Sequence, residues 1–267
     1  MSSKFFNYKK STLHFTILGT GAKNLLMFHG FGQDHNIFYA LSKILSDRYT
    51  LYVFDLYFHG QSTWGYGELP LEKEHWKDTL AEFLKEYRIE HFSVAGFSLG
   101  GKFALATLEA WPDKINEIIL LAPDGIKTSF WYSLATYPLL FRRIFKDMVH
   151  HPGRFKTVTK TLDKLGLVDS SLIKFSEFQM NSEEKRKRVY FSWVVFRHLK
   201  FDLDKIATLL NRYKIPLTMI VGQYDKVIKP KNMERFLKKL ENYKFETPEA
   251  GHTGLIVESA RYLSRLK

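Results

Sequence analysis

Val94-Ala95-Gly96-Phe97-Ser98-Leu99-Gly100-Gly101-Lys102-Phe103-Ala104 begins as an apolar run and ends in residues that suit a helix. Between the two lies Gly96-Phe97-Ser98-Leu99-Gly100, which matches the nucleophile-elbow pattern G-x-S-x-G. A strand entering, a helix leaving and a serine at the tip form the context that gives the pentapeptide meaning. The serine must adopt strained backbone angles in a tight turn, and side chains at the flanking positions would meet neighbouring backbone, hence the glycines. Such a turn lifts the hydroxyl clear of a sheet, with a helix N-terminus behind it.

Outward from this turn, apolar runs alternate with segments of helical period. Strands are expected at Leu13–Leu18, Leu25–Phe28, Leu51–Phe54, Phe92–Ala95, Ile118–Ala122, Leu217–Val221 and, more weakly, Tyr243–Glu246. Several are continuously apolar, as strands buried on both faces of a parallel sheet should be. Within Glu72–Tyr87, the residues Trp76, Leu80, Phe83, Leu84 and Tyr87 fall on one helical stripe. Similar stripes mark Ile37–Leu45, Lys102–Ala110, Asn232–Leu240 and Leu255–Leu266. The alternation predicts an α/β domain with a mainly parallel sheet.

Residues 124–213 interrupt the rhythm. They hold no convincing strand, and their aromatic and basic residues read as helices over Trp131–Lys146, Arg154–Leu165, Ser171–Phe178 and Glu183–Arg197. An interval so long is not a structureless loop in a compact domain. The expected organisation is a core of residues 1–123 and 214–267, with a helical cap of 124–213 inserted over the sheet's edge.

Composition bounds the chemistry. The chain has 267 residues, 45% hydrophobic and 16% aromatic, enough to bury a substantial core and to exclude global disorder. Without a single cysteine, disulfides, thiolate metal sites and a cysteine nucleophile are all excluded. No apolar stretch reaches membrane-spanning length and the first ten residues lack a signal-peptide core, so a soluble, cytoplasmic chain is expected. The net charge is +12, and counting Lys, Arg, Asp and Glu over 124–213 puts +8 of it in the insertion. No zinc-finger spacing, RNA-binding aromatic motif or heptad run accompanies that charge, so nucleic acid is not the expected partner. A solvated basic surface is the simpler reading; an anionic substrate or peripheral contact with a membrane surface is the functional one.

A serine hydroxyl is a poor nucleophile until a base takes its proton. Among ten histidines, His252 stands apart. Glu249-Ala250-Gly251-His252-Thr253-Gly254 follows the last strand and precedes the last helix, so its loop can reach over the strand ends toward Ser98. A third group should accept the imidazole's other proton and fix its tautomer. Two carboxylates compete, each just past a strand: Asp225 in Gly222-Gln223-Tyr224-Asp225, and Asp124 in Ala122-Pro123-Asp124-Gly125. Asp225 is favoured, because Asp124 is also a natural Asp-Gly turn residue. The order Ser98, Asp225, His252 is nucleophile, acid, base. Two backbone N–H groups suit a developing oxyanion: that of Leu99, after the serine, and that of Phe31 in Met27-Phe28-His29-Gly30-Phe31-Gly32. Beside Gly30, His29 reads as an orienting hydrogen-bonding residue rather than a base.

Together, His29-Gly30-Phe31, Gly96-Phe97-Ser98-Leu99-Gly100, Gly222-Gln223-Tyr224-Asp225 and Gly251-His252 resemble the α/β-hydrolase superfamily, in its lidded, serine-nucleophile branch. The likeness runs from about Leu13 to the C-terminal helix. Asp55-Leu56-Tyr57-Phe58-His59-Gly60-Gln61-Ser62 resembles the family's D-x-P-G-x-G-x-S loop but has Tyr57 and Phe58 in the Pro-Gly positions. The resemblance implies an α/β-hydrolase fold, catalysis by Ser98, His252 and Asp225 through an acyl-enzyme, and neither metal nor cofactor. A serine at the elbow disfavours the epoxide hydrolases and haloalkane dehalogenases, which use aspartate. Cleavage of a small-molecule carboxylic ester or related acyl bond is the most economical expectation. Carbon–carbon bond hydrolysis, a menaquinone-pathway synthase-like elimination suggested by Lys102, a lysophospholipase-like or monoacylglycerol lipase-like activity and a slow ligand-binding hydrolase remain open. The substrate pocket is expected to draw on Phe130, Trp131, Tyr132, Tyr137, Phe141, Trp193 and Phe196.

Overall fold

Apolar runs with no polar alternation need cover on both faces, and the computed structural model gives them that cover in one sheet. It describes residues 2–127, 130–164, 166 and 176–265. The strands are β1 (Ser2–Tyr8), β2 (Ser11–Leu18), β3 (Lys23–Phe28), β4 (Tyr49–Phe54), β5 (Thr63–Trp64), β6 (Phe92–Phe97), β7 (Ile115–Leu121), β8 (Leu217–Ile220) and β9 (Tyr243–Glu246). Among the described residues they form a nine-stranded sheet in the order β1-β2-β4-β3-β6-β7-β8-β9, with β5 paired to β2. From β4 to β9 every neighbouring pair is parallel, while β2 is antiparallel to β1, β4 and β5.

The connectivity positions a site. From β3 the chain moves to β4 on one side, then returns to β6 on the other, so the strand order reverses between β3 and β6. In open α/β sheets the crevice beyond the strand ends at such a reversal is the natural ligand site. Phe28 pairs with Gly96 there, which brings the segments leading to Phe31 and Ser98 side by side.

Chain contacts divide the molecule into two units. The first comprises Met1–Tyr66, Leu71–Lys127 and Leu199–Lys267. Its core is the sheet packed by helices, as Lys73–Glu86 shows by burying Trp76, Thr79, Leu80, Phe83 and Leu84 along the expected stripe. Rings of Phe15, Phe28, Phe54, Trp76, Phe83 and Phe103 interlock, mostly edge to face. Two strands carried no sequence signal. At the sheet's edge β1 buries only Phe6, and β5 is two residues long. The helix expected over Asn232–Leu240 is shorter, Glu234–Leu237: before it Pro230 opens a separate turn of 3-10 helix at Pro230–Asn232, and after it the N–H groups of Lys239 and Leu240 donate to the carbonyls of Phe236 and Leu237, three residues back.

The second unit comprises Gly67–Pro70 and Thr128–His198, narrower than the expected insertion of 124–213. The difference is residues 124–127 and 199–213, and most of it is the helix Leu203–Arg212. It buries Ile206, Ala207 and Leu210, and the Asn211 amide donates to the Lys239 carbonyl (2.9 Å) and accepts from the Glu241 N–H (3.0 Å). Those ties fasten it to the first unit. Within the second unit the helices are Phe130–Thr136, Leu139–His150, Pro152–Lys164 and Glu183–Val195. Pro138, which cannot continue a helix, splits the one expected over Trp131–Lys146. Phe145 packs on Tyr190 and Trp193, and the Tyr132 hydroxyl donates to the Trp193 carbonyl. Phe196 is fully buried and Phe141 exposed; the side chains of Phe130 and Trp131 lie outside the described residues, as do 171–175 of the helix expected over Ser171–Phe178. Along the helix Glu183–Val195, Lys187 pairs with Glu183 and Arg188 with Glu184, while Arg186 donates to the Val149 and Met180 carbonyls. Among the described residues, no helix is long and apolar enough to cross a membrane.

Candidate active site

Ser98 takes a φ of +49°, a left-handed conformation unusual for a residue with a side chain. Its surroundings hold it there. The Ser98 N–H donates to the Leu121 carbonyl at 2.9 Å, and its own carbonyl accepts from the N–H groups of Gly101 and Asp124, each at 2.8 Å. The flanking glycines follow from close approach. A Cβ at Gly96 would stand 2.6 Å from the Gly100 carbonyl oxygen, and one at Gly100 only 1.9 Å from that of Phe28.

Beyond β8 and β9, two loops are laced together. The N–H groups of Gln223 and Tyr224 donate to the carbonyls of Pro248 and Ala250 at 2.9 and 3.0 Å, and a Cβ at Gly222 would strike the Ala250 carbonyl. One loop presents Asp225, the other His252. The His252 Nδ1 lies 2.6 Å from the Asp225 Oδ2, and its Nε2 lies 3.0 Å from the Ser98 Oγ. Asp225 is buried, and its second oxygen accepts from the N–H groups of Val227 and Ile228, both at 2.8 Å. An acceptor-only carboxylate at Nδ1 sets the proton there and leaves Nε2 as an acceptor facing the hydroxyl. The imidazole is partly exposed, so a reacting molecule can reach it.

Asp124, the competing carboxylate, is engaged elsewhere. Its Oδ1 accepts from the Gly125 N–H at 2.7 Å, and Oδ2 lies 3.6 Å from the buried ammonium of Lys102. The structure therefore joins Asp225, not Asp124, to His252.

Leu99 stands immediately before the helix Gly100–Ala110, and Phe31 three residues beyond β3. Among the described residues, neither N–H donates to another group of the chain. His29 is fully buried; its Nδ1–H donates to the Gly30 carbonyl (2.7 Å) and its Nε2 accepts from the Leu56 N–H (3.0 Å). Burial holds its pKa below the ordinary histidine value, which suits that neutral role. The orienting part expected of it is the one its bonds describe.

One constellation escaped the sequence. Asp55 is fully buried between His14 and His35, with the Nδ1 atoms of the two imidazoles 2.7 and 2.9 Å from its oxygens. Burial pushes the Asp55 carboxyl up, but the hydrogen bonds from His35 and Gln61 outweigh it and hold the group below the usual carboxylate range. In sequence, His14 was one residue of an alternating strand and Asp55 the first of a variant loop; the signal was the strand-end carboxylate itself. In that loop Phe58 occupies the left-handed region with φ +68°, in the place where the resemblance has glycine.

Comparison with known proteins agrees with this architecture. A family model described as the alpha/beta hydrolase fold matches residues 23–259. The chain is 27% identical, over 88% of its length and 89% of the relative's, to a pimeloyl-[acyl-carrier protein] methyl ester esterase of Wigglesworthia glossinidia brevipalpis. The protein of that name from Legionella pneumophila is 23% identical, with 92% of this chain and 96% of the relative covered. Among solved structures, a thermophilic esterase from Thermogutta terrifontis superposes with a TM-score of 0.72 at 19% identity, covering 100% of this chain and 97% of the other.

Proposed function

Because this chain belongs to the alpha/beta hydrolase fold family, we propose that it is a serine hydrolase that cleaves a carboxylic ester through Ser98, His252 and Asp225. One observation carries the reading: a serine of positive φ whose Oγ lies 3.0 Å from an imidazole that is itself held by a buried carboxylate. In this mechanism His252 Nε2 takes the hydroxyl proton as the Ser98 Oγ attacks the ester carbonyl. Asp225 stabilises the resulting imidazolium through Nδ1–H. The N–H groups of Leu99 and Phe31 stabilise the tetrahedral oxyanion, a contribution that is large where water is scarce. Collapse expels the alcohol, which receives the proton from Nε2, and leaves an acyl-serine. Water, deprotonated by the same nitrogen, then releases the acid and restores the hydroxyl. Initial rates on short p-nitrophenyl esters test this: Ser98→Ala is expected to abolish turnover, and retained turnover would remove Ser98 from the role.

A narrower reading concerns the acyl group. The relatives named above act, by their names, on a methyl ester carried by an acyl-carrier protein. The concentration of positive charge in residues 124–213 supports an anionic substrate or carrier here. Such a substrate should show a KM that rises with added salt, whereas a neutral p-nitrophenyl ester should not; equal salt response of the two would return the charge to plain solvation.

A further inference from the structure

A carboxylate with no exposure to water must be matched by donors, and Asp55 is matched four times over. Oδ1 accepts from the His35 backbone N–H at 2.8 Å and from the His35 Nδ1–H at 2.9 Å. Oδ2 accepts from the His14 Nδ1–H at 2.7 Å and from the Gln61 N–H at 3.1 Å. Two further features fix the group: the His14 Nε2 lies 2.7 Å from the Ser3 hydroxyl, and a Cβ at Gly60 would stand 1.8 Å from Oδ2. The next residue, Leu56, gives its N–H to His29. Two consecutive residues at the end of β4 therefore grip both ends of the segment 29–35: Leu56 through His29, and Asp55 through His35. Phe31 lies between the grips. Within the segment, the Gly30 N–H donates to the Gln33 Oε1 at 3.1 Å and the Gln33 N–H to the Gly30 carbonyl at a long 3.4 Å. Those bonds close a turn without tying it to the sheet.

We propose that His35, held by Asp55, is a positioning residue for the Phe31 N–H: the pair fixes the far end of the segment that carries this oxyanion donor. The inference rests on the reading of Phe31 as a donor to the tetrahedral intermediate. It differs from a metal site built of His14, His35 and Asp55, which can offer one ligand atom each within 4.8 Å of one another. Each Nδ1 is spent on a hydrogen bond to Asp55, and the carboxylate oxygens also receive two backbone N–H groups. Because the oxyanion forms only on the way to the transition state, loosening the segment should lower kcat and leave KM alone.

The test compares His35→Leu, which removes the side-chain donor, with His35→Asn, whose amide N–H2 stands close to where Nδ1–H was. In folded enzyme, His35→Leu is expected to lower kcat by about ten- to hundredfold with KM within about twofold, a part of the loss seen when such a donor is deleted. A trifluoromethyl ketone that mimics the tetrahedral intermediate should weaken by the same factor, and His35→Asn should restore kcat to within about threefold. Circular dichroism checks folding, and His35→Ala, read in the same way, stands in should His35→Leu be destabilised. Full kcat in the folded His35→Leu variant, equal impairment of His35→Asn, or a change confined to KM would each overturn the proposal. So would stoichiometric zinc in the purified protein that is lost with His35. If Ser98→Ala still turns over, the hydrolase reading itself fails; if Ser98 is essential and His35→Leu is fully active, only the positioning role falls.

Discussion

Phe97 stacks on the imidazole of His252, with ring centroids 5.1 Å apart and planes 30° from parallel. The residue before Ser98 thus supports the ring that faces the Ser98 hydroxyl. Phe97 is itself buried at the end of β6, so its position is set by the sheet rather than by the loop that carries His252. Replacing the ring by an aliphatic chain keeps the core filled but removes the flat surface. Phe97→Leu is expected to reduce kcat by roughly tenfold through misorientation of the imidazole; steady-state kinetics with an unchanged rate would show that the stack is packing alone.

Asp225 and Asp124 offer a comparison in which the same chemical change has opposite outcomes. Asp225→Asn keeps the shape but offers His252 a donor where an acceptor is needed, so the wrong tautomer follows. The expected loss in kcat is on the order of 10³–10⁴. Asp124→Asn leaves His252 untouched and should stay within about threefold. Rates measured on both variants decide the matter, and the reverse pattern would reassign the acid.

Backbone contacts at the elbow make a prediction about stability. Gly100→Ala forces a methyl group against the Phe28 carbonyl and should destabilise the protein by upward of about 3 kcal/mol. Gly251→Ala, next to His252, meets nothing within 4 Å and has no positive φ, so it should change stability by less than about 0.5 kcal/mol. Urea unfolding of the two variants gives the comparison; equal midpoints would mean that the elbow can yield.

The buried His29 ties stability to pH. Burial lowers its pKa from the ordinary 6.5, so on acidification the unfolded chain takes up this proton before the folded one does. Its contribution is therefore complete above about pH 6.5 and is lost as pH falls from there toward the folded-state pKa. His75, also lowered by burial, acts in the same direction, so the informative quantity is a difference. Between pH 7.5 and 5.5, the melting temperature of the native protein should fall more steeply than that of His29→Asn. Parallel curves would show that His29 is not titrating in this way.

How far the sequence could be read depended on how local each cause is. The parallel strands were legible because burial on both faces leaves an unbroken apolar run, and the elbow because its serine and glycines stand in one pentapeptide, although the contact that demands glycine at position 100 comes from the distant Phe28 carbonyl. Asp225 could be preferred over Asp124 on the propensity of Asp-Gly for turns, and the bonds from Asp124 to Gly125 and Lys102 give that preference its physical form. β1 was illegible, since an edge strand that buries Phe6 alone writes no pattern. Leu203–Arg212, which falls inside the expected insertion, looks in sequence like any amphipathic helix; what ties it to the first unit is the amide of Asn211 reaching Lys239 and Glu241. The Asp55 cluster depends on residues 14, 35 and 55 meeting through sheet pairing and a loop, which spacing alone does not encode.

Hydrolysis by this mechanism depends above all on the nucleophilicity of one hydroxyl, that of Ser98. Incubation with a fluorophosphonate, followed by intact-mass measurement and peptide mapping, should find a single adduct on Ser98 in the native protein. It should find none in Ser98→Ala, and labelling slowed by at least about a hundredfold in His252→Ala. An adduct on another residue, or labelling of Ser98 at the native rate without His252, would contradict this mechanism.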